Sequence, residues 1–143
     1  MTSEVQKATA RRWISGIWDQ GNLGLIDELA VSDRYIYQVP GQEGLRGQSF
    51  KDFVSTVRAA FPDLRNTIES QVGEGDLVVT RGTTRGTQRG SFAGIAPTGK
   101  SIEVPWVIFT SFQNGRIVAD WEIYDALGMM TQLGALTASV QTT

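Results

Sequence analysis

Four stretches of the chain repeat apolar residues at the spacing of an α-helix. Glycine, proline and short polar side chains between these stretches mark where each helix ends. The predicted helices cover residues 3–20, a short segment from Leu23 to Ala30, a third that Ser49 caps and Pro62 ends, and a last one from Ala126 to about Leu133. The final residues, ASVQTT, are predicted to fray.

Most of the second half shows the alternation and residue types of β-strands. The predicted strands are RYIYQV at residues 34–39, then 64–72, 76–86, 101–112 and 117–124, with turns at Gly73–Gly75 and Asn114-Gly115. Helices followed by an antiparallel meander predict an α+β fold. We expect a cone-shaped, curved, mostly antiparallel sheet wrapped over about three N-terminal helices, with a short C-terminal helix. Such a cone encloses a cavity suited to a small apolar ligand.

Composition removes several kinds of chemistry. The 143 residues fit one domain, 1–143, and the chain has neither histidine nor cysteine. Imidazole bases, thiol nucleophiles and the usual zinc ligands are therefore excluded, and no metal site is predicted. Proton transfer would fall to Asp, Glu, Tyr, Lys or water. The net charge is −2 and no basic patch is evident in the sequence, so nucleic acid is not an expected partner. No apolar run predicts a signal peptide or a membrane-spanning segment, so a cytoplasmic protein is expected.

Gly82, Gly86 and Gly90 recur at a spacing of four, in the predicted strand 76–86 and at the start of the loop that follows it. A phosphate-binding loop would place its glycines between a strand and a helix, and no helix follows here. The spacing therefore favours sheet curvature and bulges.

The stretch DWEIYD, residues 120–125, places three carboxylates on and after the last strand. The length of the turn decides which of them faces inward. A two-residue turn directs Ile117, Trp121, Ile123 and Asp125 toward the face of Trp106. A three-residue turn directs Asp120, Glu122 and Tyr124 there instead. Hydrophobicity favours the first register, but the other face of the hairpin is apolar too, so the pattern leaves both open.

Aromatic residues are candidates for the wall of a cavity. Trp106 and Tyr37 could stack on a planar ligand, and Phe53 could join them, although each also suits an ordinary core. Trp13 and Trp18 are typical of core packing. Tyr35 and Tyr124 could donate hydrogen bonds to a carbonyl.

The charged residues divide into pocket and surface candidates. Asp125 precedes helix-forming residues and is predicted to be a helix N-cap, whereas Asp120 is predicted to be solvated near the hairpin. Arg81 and Arg85 share a strand face; Arg85 could hold a pocket carboxylate or a substrate enolate, although a solvated position suits both arginines.

Four segments together resemble the SnoaL-like polyketide cyclase family, within the nuclear-transport-factor-two-like superfamily. They are FPDL at 61–64, GEGDLVVTRGT at 73–83, GSFAGIAPTGK at 90–100 and NGRIVADWEIYDALGMMTQLG at 114–134. The resemblance covers about residues 5–135 and implies the cone fold described above.

The resemblance also implies an activity. In the cyclases an aspartate of the last strand is the general acid/base of an intramolecular aldol ring closure, and its position matches Glu122. The histidine that accompanies it fourteen residues earlier is replaced by Ile108. The implied enzyme of secondary metabolism needs no cofactor and binds a small apolar, polyketide-like substrate. Relatives often form homodimers through the convex face of the sheet.

Two alternatives accompany this interpretation. Limonene epoxide hydrolase, a distant relative, carries its catalytic aspartate at the same strand position, and Glu122 with Arg81 or Arg85 could imitate its carboxylate–arginine set. The second alternative is a ligand-binding module without catalysis, which the changes to Glu122 and Ile108 make possible.

Overall fold

The computed structural model describes residues 2–136, and the predicted frayed tail ASVQTT lies outside them. The helices are α1 (Ser3–Ile14), α2 (Leu25–Leu29), α3 (Gly47–Ala60) and α4 (Ala126–Gln132). The strands are β1 (Ile36–Gln38), β2 (Arg65–Glu74), β3 (Leu77–Thr87), β4 (Ser101–Gln113) and β5 (Arg116–Tyr124).

The five strands form one sheet in the order β1-β5-β4-β3-β2. β1 pairs with β5 in parallel, and the other neighbours are antiparallel. The sheet curls over the three N-terminal helices, which confirms the predicted α+β cone with its short C-terminal helix. Register shifts in the β2–β3 and β4–β5 pairs mark bulges, which increase local twist and bend a sheet.

The first predicted helix ends differently from the prediction. Thr2 caps α1 by accepting a hydrogen bond from the backbone of Val5, at 3.2 Å. After Ile14 the chain continues as a π-helical turn, Ser15–Asp19, rather than as a regular α-helix. This turn carries Trp18 and Asp19, and both reappear at the functional site.

Ser49 does not cap α3 as predicted; Arg46 occupies the N-cap position and the helix begins at Gly47. Ser49 lies in the first turn, and its Oγ accepts a hydrogen bond from the backbone N–H of Arg46 at 3.0 Å. A serine that bonds back to the cap residue gives the same sequence signal as a cap, which explains the error.

The ends of the strands also differ from the prediction, most of all at β1 and at the β2–β3 turn. β1 has three residues, fewer than the predicted 34–39. Glu74 pairs with Leu77, so the β2–β3 turn consists of Gly75 and Asp76 rather than Gly73–Gly75.

The predicted inner face of β4 is confirmed, because every second side chain from Ile102 to Phe112 is buried. Trp106 extends from this face across β3 at Gly82. A Cβ at Gly82 would lie 2.5 Å from the Trp106 ring and 2.5 Å from the Thr67 carbonyl oxygen. Gly82 therefore permits a close approach beside the β2 bulge, in agreement with the curvature expected from the glycine spacing.

Candidate active site

Two tyrosine–carboxylate pairs lie where β1 runs parallel to β5. The Tyr35 hydroxyl donates a hydrogen bond to Asp120 Oδ2 at 2.6 Å, and the Tyr37 hydroxyl donates one to Glu122 Oε1 at 2.5 Å. Both tyrosines are buried. Tyr37 of β1 and Tyr35, the residue before the strand, therefore each supply a hydrogen-bond donor to one of two acids that share one face of β5.

A bulge resolves the register of the β4–β5 hairpin. The turn has two residues, Asn114 and Gly115, both with positive φ, and Gln113 pairs with Arg116. Phe112 pairs with Ile117, but Ser111 pairs with Ala119, so the bulge leaves Val118 without a register partner. Because of this extra residue, the side chains of β5 after Val118 point to the opposite face of the sheet from the one that an unbroken register would give them.

The outcome combines the two predicted alternatives. The turn is the two-residue form, yet Asp120, Glu122 and Tyr124 share the face of Trp106, as expected from the three-residue form. Trp121 and Ile123 face outward, with 39% and 50% of their surface exposed. Hydrophobicity alone favours the opposite arrangement, with Trp121 and Ile123 on the inner face.

Glu122 lies in the wall of an apolar cavity. The enclosed space is about 110 Å³, and about 810 Å³ is free of atoms when the open mouth is included. Burial raises the pKa of Glu122 to about 7; the Tyr37 hydrogen bond opposes this rise and the charge of Asp120 adds to it. A carboxyl group with this pKa can both accept and donate a proton near neutral pH.

Asp120 is buried, with 1% of its surface exposed, so the prediction of a solvated hairpin acid was wrong. Trp13 Nε1 and the Tyr35 hydroxyl donate to its Oδ2 at 2.8 and 2.6 Å, and Thr110 donates to Oδ1 at 2.6 Å. Burial raises the pKa of Asp120, and the three hydrogen bonds partly offset the rise. The bulge accounts for the error, because it turns Asp120 from the outer face to the inner one.

Most of the residues predicted for the pocket line this cavity. Those that do are Glu122, Trp106, Ile108, Tyr37, Tyr124 and Phe53. Tyr37 and Phe53 stack with ring centroids 5.9 Å apart, and Trp18 packs edge-on against Phe53. The cavity therefore combines aromatic walls with one carboxylate beside a tyrosine hydroxyl.

Arg85 does not line this cavity, which corrects its proposed role as a substrate-binding residue. It bonds to Glu103 at 3.0 Å and to Thr67 at 3.1 Å on the outer face of the sheet. Arg81 lies 3.7 Å from Glu69 on the same face. Since side chains alternate along β3, the two arginines share a face, but it is the face away from Glu122.

The sequence interpretation missed a second polar group in the cavity wall, formed by Asn66, Thr84 and the indole of Trp106. Asp19 accepts a hydrogen bond from the side-chain amide of Asn66. Burial raises the pKa of Asp19. Trp18 also lines the cavity, although its helical spacing indicated core. The alternation of β2 could have placed Asn66 on the inner face, but nothing local marks that asparagine as functional.

Asp125 caps α4 as predicted, accepting a hydrogen bond from the Gly128 N–H at 2.9 Å. Within residues 2–136, no group of three or more Asp or Glu side chains is arranged to hold a metal ion. None of the helices in that range is long and apolar enough to cross a membrane.

The outer face of the β4–β5 hairpin is apolar. Phe109 packs edge-on against Trp121 at 5.4 Å, and Val107 pairs with Ile123. This surface is compatible with the homodimer expected from the family resemblance, which stays a prediction.

A comparison with family models identifies one family. The family model described as SnoaL-like polyketide cyclase matches residues 8–133. No individually curated protein matched the sequence.

Solved structures of similar fold include a proposed SnoaL-like polyketide cyclase from Jannaschia sp. CCS1, at 23% identity and a TM-score of 0.86, covering 94% of this chain and 95% of that one. IdmH of Streptomyces antibioticus, a proposed polyketide cyclase, is 29% identical with a TM-score of 0.76, over 90% and 98% of the two chains. A proposed polyketide cyclase from Acidithiobacillus ferrooxidans is 27% identical with a TM-score of 0.79, over 96% and 99%.

Proposed function

Because the chain belongs to the SnoaL-like polyketide cyclase family, we propose that Glu122 is the general acid/base of an aldol-type ring closure in the apolar cavity. The observation that carries this proposal is the position of the Glu122 carboxyl group. It lies in an aromatic-walled cavity, bonded to Tyr37, with a pKa of about 7. A base with that pKa is matched to proton removal next to a carbonyl at neutral pH.

The proposed reaction needs no external reactant. The Glu122 carboxylate removes a proton from a carbon next to a substrate carbonyl. The resulting enolate carbon attacks a second carbonyl carbon of the same molecule, which forms the ring-closing bond. The new alkoxide oxygen then takes up the proton that Glu122 holds. Product and substrate have the same composition and no electrons are exchanged, so the chemistry as written consumes no cofactor.

Tyr37 is the polar companion of the proposed base. Ile108, at the position where the resemblance expects a histidine, is the register partner of Glu122 on β4. An isoleucine there can only pack, whereas the Tyr37 hydroxyl approaches Glu122 from β1 on the other side. We propose that Tyr37 fixes the orientation of the carboxylate, which the family's histidine is otherwise expected to assist.

The hydrolase alternative receives less support from the geometry. A carboxylate–arginine pair would activate water for attack on an epoxide, but Arg81 and Arg85 lie on the outer face beside Glu69 and Glu103. The residues that line the described cavity include no arginine. The one-domain organisation, the cytoplasmic location and the homodimer also stay predictions.

Hydrogen–deuterium exchange into 2-tetralone tests the acid/base proposal without knowledge of the natural substrate. This ketone is apolar, bicyclic and bears an acidic C–H next to its carbonyl. We expect the protein to accelerate exchange in D₂O, and Glu122→Gln to lower that rate by at least about 100-fold, the usual contribution of a positioned base. Glu103→Gln, on the outer face, is the matched control and should exchange at the wild-type rate.

Two results would contradict the proposal. A Glu122→Gln protein with full exchange activity would remove Glu122 from the chemistry. A wild-type protein that binds 2-tetralone and does not accelerate exchange would favour the binding module. A parallel screen of epoxides against 1,3-dicarbonyl compounds separates a hydrolase from a cyclase.

A further inference from the structure

Asn66 anchors a polar group on β2, at the far edge of the sheet from Glu122. Its Oδ1 accepts a hydrogen bond from Trp106 Nε1 at 3.1 Å and another from Thr84 Oγ1 at 2.5 Å. Its Nδ2 donates to Asp19 Oδ1 at 2.6 Å. Asn66 and Thr84 both line the same cavity as Glu122.

The bonding partners determine which way the Asn66 amide points. An indole Nε1–H can only donate, so the amide atom next to Trp106 is the oxygen. The nitrogen therefore faces Asp19, whose carboxylate can only accept when ionised. Asp19 also accepts from the backbone N–H of Asn66 at 3.2 Å, which fixes the pair further.

The Asn66 side chain has one N–H donor without a hydrogen-bond partner among residues 2–136. An amide oxygen accepts two hydrogen bonds, and both positions on Asn66 are filled. The nitrogen carries two hydrogens, of which Asp19 takes one. Within residues 2–136 no acceptor takes the second. The two hydrogen bonds that Asn66 Oδ1 accepts strengthen that remaining donor, because an amide whose oxygen accepts hydrogen bonds is polarised toward a more positive N–H.

We propose that Asn66 Nδ2 donates this hydrogen bond to a substrate oxygen remote from the carbon at which Glu122 acts. This inference rests on the proposed function for the identity of the reacting end. Three inter-strand spacings, about 14 Å, separate β2 from β5. Along the strands Asn66 is level with Val104 of β4 and Glu122 is level with Ile108, so the two groups are also offset by four residues. The site thus selects an elongated apolar skeleton with a carbonyl or phenolic oxygen near each end.

The distribution of polarity supports this substrate class. The rest of the cavity wall is formed mainly by aromatic and aliphatic side chains, among them Phe53, Trp106 and Val104. A molecule with oxygen at only one end would leave the Asn66 donor facing apolar atoms, which is unfavourable. A molecule with oxygen at both ends satisfies both polar groups while its rings cover the apolar wall.

A pair of naphthols tests the proposal by binding alone. In 6-acetyl-2-naphthol a hydroxyl and a carbonyl lie at opposite ends, and 6-isopropyl-2-naphthol replaces the carbonyl oxygen by a methyl group of similar shape. Affinities are measured by quenching of tryptophan fluorescence, because Trp18 and Trp106 line the cavity. We expect the wild type to bind the acetyl compound about five- to tenfold more tightly, the usual effect of one hydrogen bond.

The sharpest variant exchanges the two partners, Asp19→Asn together with Asn66→Asp. It keeps the net charge, the pair's mutual hydrogen bond and the acceptor for Trp106, but replaces the free N–H by an oxygen. We expect the preference for the acetyl compound to disappear or reverse. Asn66→Ala provides a second test should the exchanged pair fail to fold, and it too should lose the preference.

Glu122→Gln distinguishes this proposal from the catalytic one, because it should retain the acetyl preference even when proton exchange is lost. A wild-type protein that binds both naphthols equally would overturn the inference. So would an exchanged pair that keeps the preference.

Discussion

Tyr37 stands opposite Asp120 in the strand register, yet its hydroxyl bonds to Glu122, two residues further along β5. The parallel pairing of β1 with β5 produces this offset, and Tyr35 bonds to Asp120 in turn. Each acid therefore has its own tyrosine, although the two acids differ in access. Asp120 is enclosed by protein donors, whereas Glu122 faces the cavity.

Tyr37→Phe should shift the pH dependence of catalysis upward. The Tyr37 hydrogen bond lowers the pKa of Glu122, so its loss leaves burial unopposed and the pKa rises further above 7. Fewer molecules then carry the carboxylate at neutral pH. We expect the exchange rate of 2-tetralone at pH 7 to fall on the order of tenfold and to recover at higher pH, since a hydrogen bond to a charged group contributes about 1.5–3 kcal/mol. An unchanged pH profile would contradict this role.

Glu122→Gln should flatten the dependence of stability on pH. The pKa of Glu122 is about 7 in the folded protein, against an ordinary value of 4.5. The folded state therefore holds this proton more tightly, and stability from this group is full below pH 4.5 and is lost as pH rises through 7. At about 1.4 kcal/mol per pKa unit, the loss is on the order of 3 kcal/mol.

Urea unfolding at pH 5 and pH 8 measures this effect. The stability of the wild type relative to Glu122→Gln should fall between the two pH values. Glu103→Gln should follow the wild-type curve. A constant difference between wild type and Glu122→Gln would show that Glu122 titrates normally.

Asp120→Ala should destabilise the fold far more than Asp125→Ala, although the two acids are five residues apart. Asp120 satisfies donors from Trp13, Tyr35 and Thr110, which would be left buried without a partner. We expect a loss of about 3 kcal/mol or more in the free energy of unfolding.

Loss of the Asp125 cap should reduce stability by about 1 kcal/mol, because only the Gly128 N–H depends on it. Chemical denaturation of Asp120→Ala and Asp125→Ala compares their free energies of unfolding. Equal, small losses would mean that Asp120 is not held as described.

Gly82→Ala should disturb the cavity from the inner face of β3, beneath the Trp106 ring. Its new methyl group would meet the Trp106 ring and the Thr67 carbonyl, and backbone cannot move aside as a flexible side chain can. We expect a loss of about 1–3 kcal/mol, as for other overpacked positions, together with altered Trp106 fluorescence. Gly24→Ala is the matched control, since its nearest neighbour is the end of the Asn22 side chain at 3.3 Å.

Periodicity predicted the elements of the fold and the inner face of β4, because regular burial on one face leaves a regular pattern in the sequence. Besides the ends of β1 and the β2–β3 turn, it failed at three places where the backbone departs from a regular helix or strand. These are the π-helical turn after Ile14, the cap of α3 at Arg46 and the bulge at Val118. Each irregularity depends on tertiary neighbours that a local pattern does not contain.

The site was predictable only in part for the same reason. The aromatic wall and Glu122 were named because their residue types suit a cavity or because the family resemblance indicated the position. The donors to Asp120 are up to 107 residues away in the chain, and Asn66 owes its orientation to Trp106 and Asp19. Pairings of that range come from the topology and leave no trace in a local segment.

The bulge at Val118 also bears on how the protein folds. Without it, the same hairpin could close with Trp121 and Ile123 inward and the acids in water, which an isolated hairpin would favour. The native register becomes the better one only after Trp13, Tyr35 and Tyr37 arrive to bond the two carboxylates. We therefore expect the β4–β5 hairpin to reach its native register late in folding, after the N-terminal half has packed against it. The hairpin with Trp121 and Ile123 inward is then a competing misfolded form.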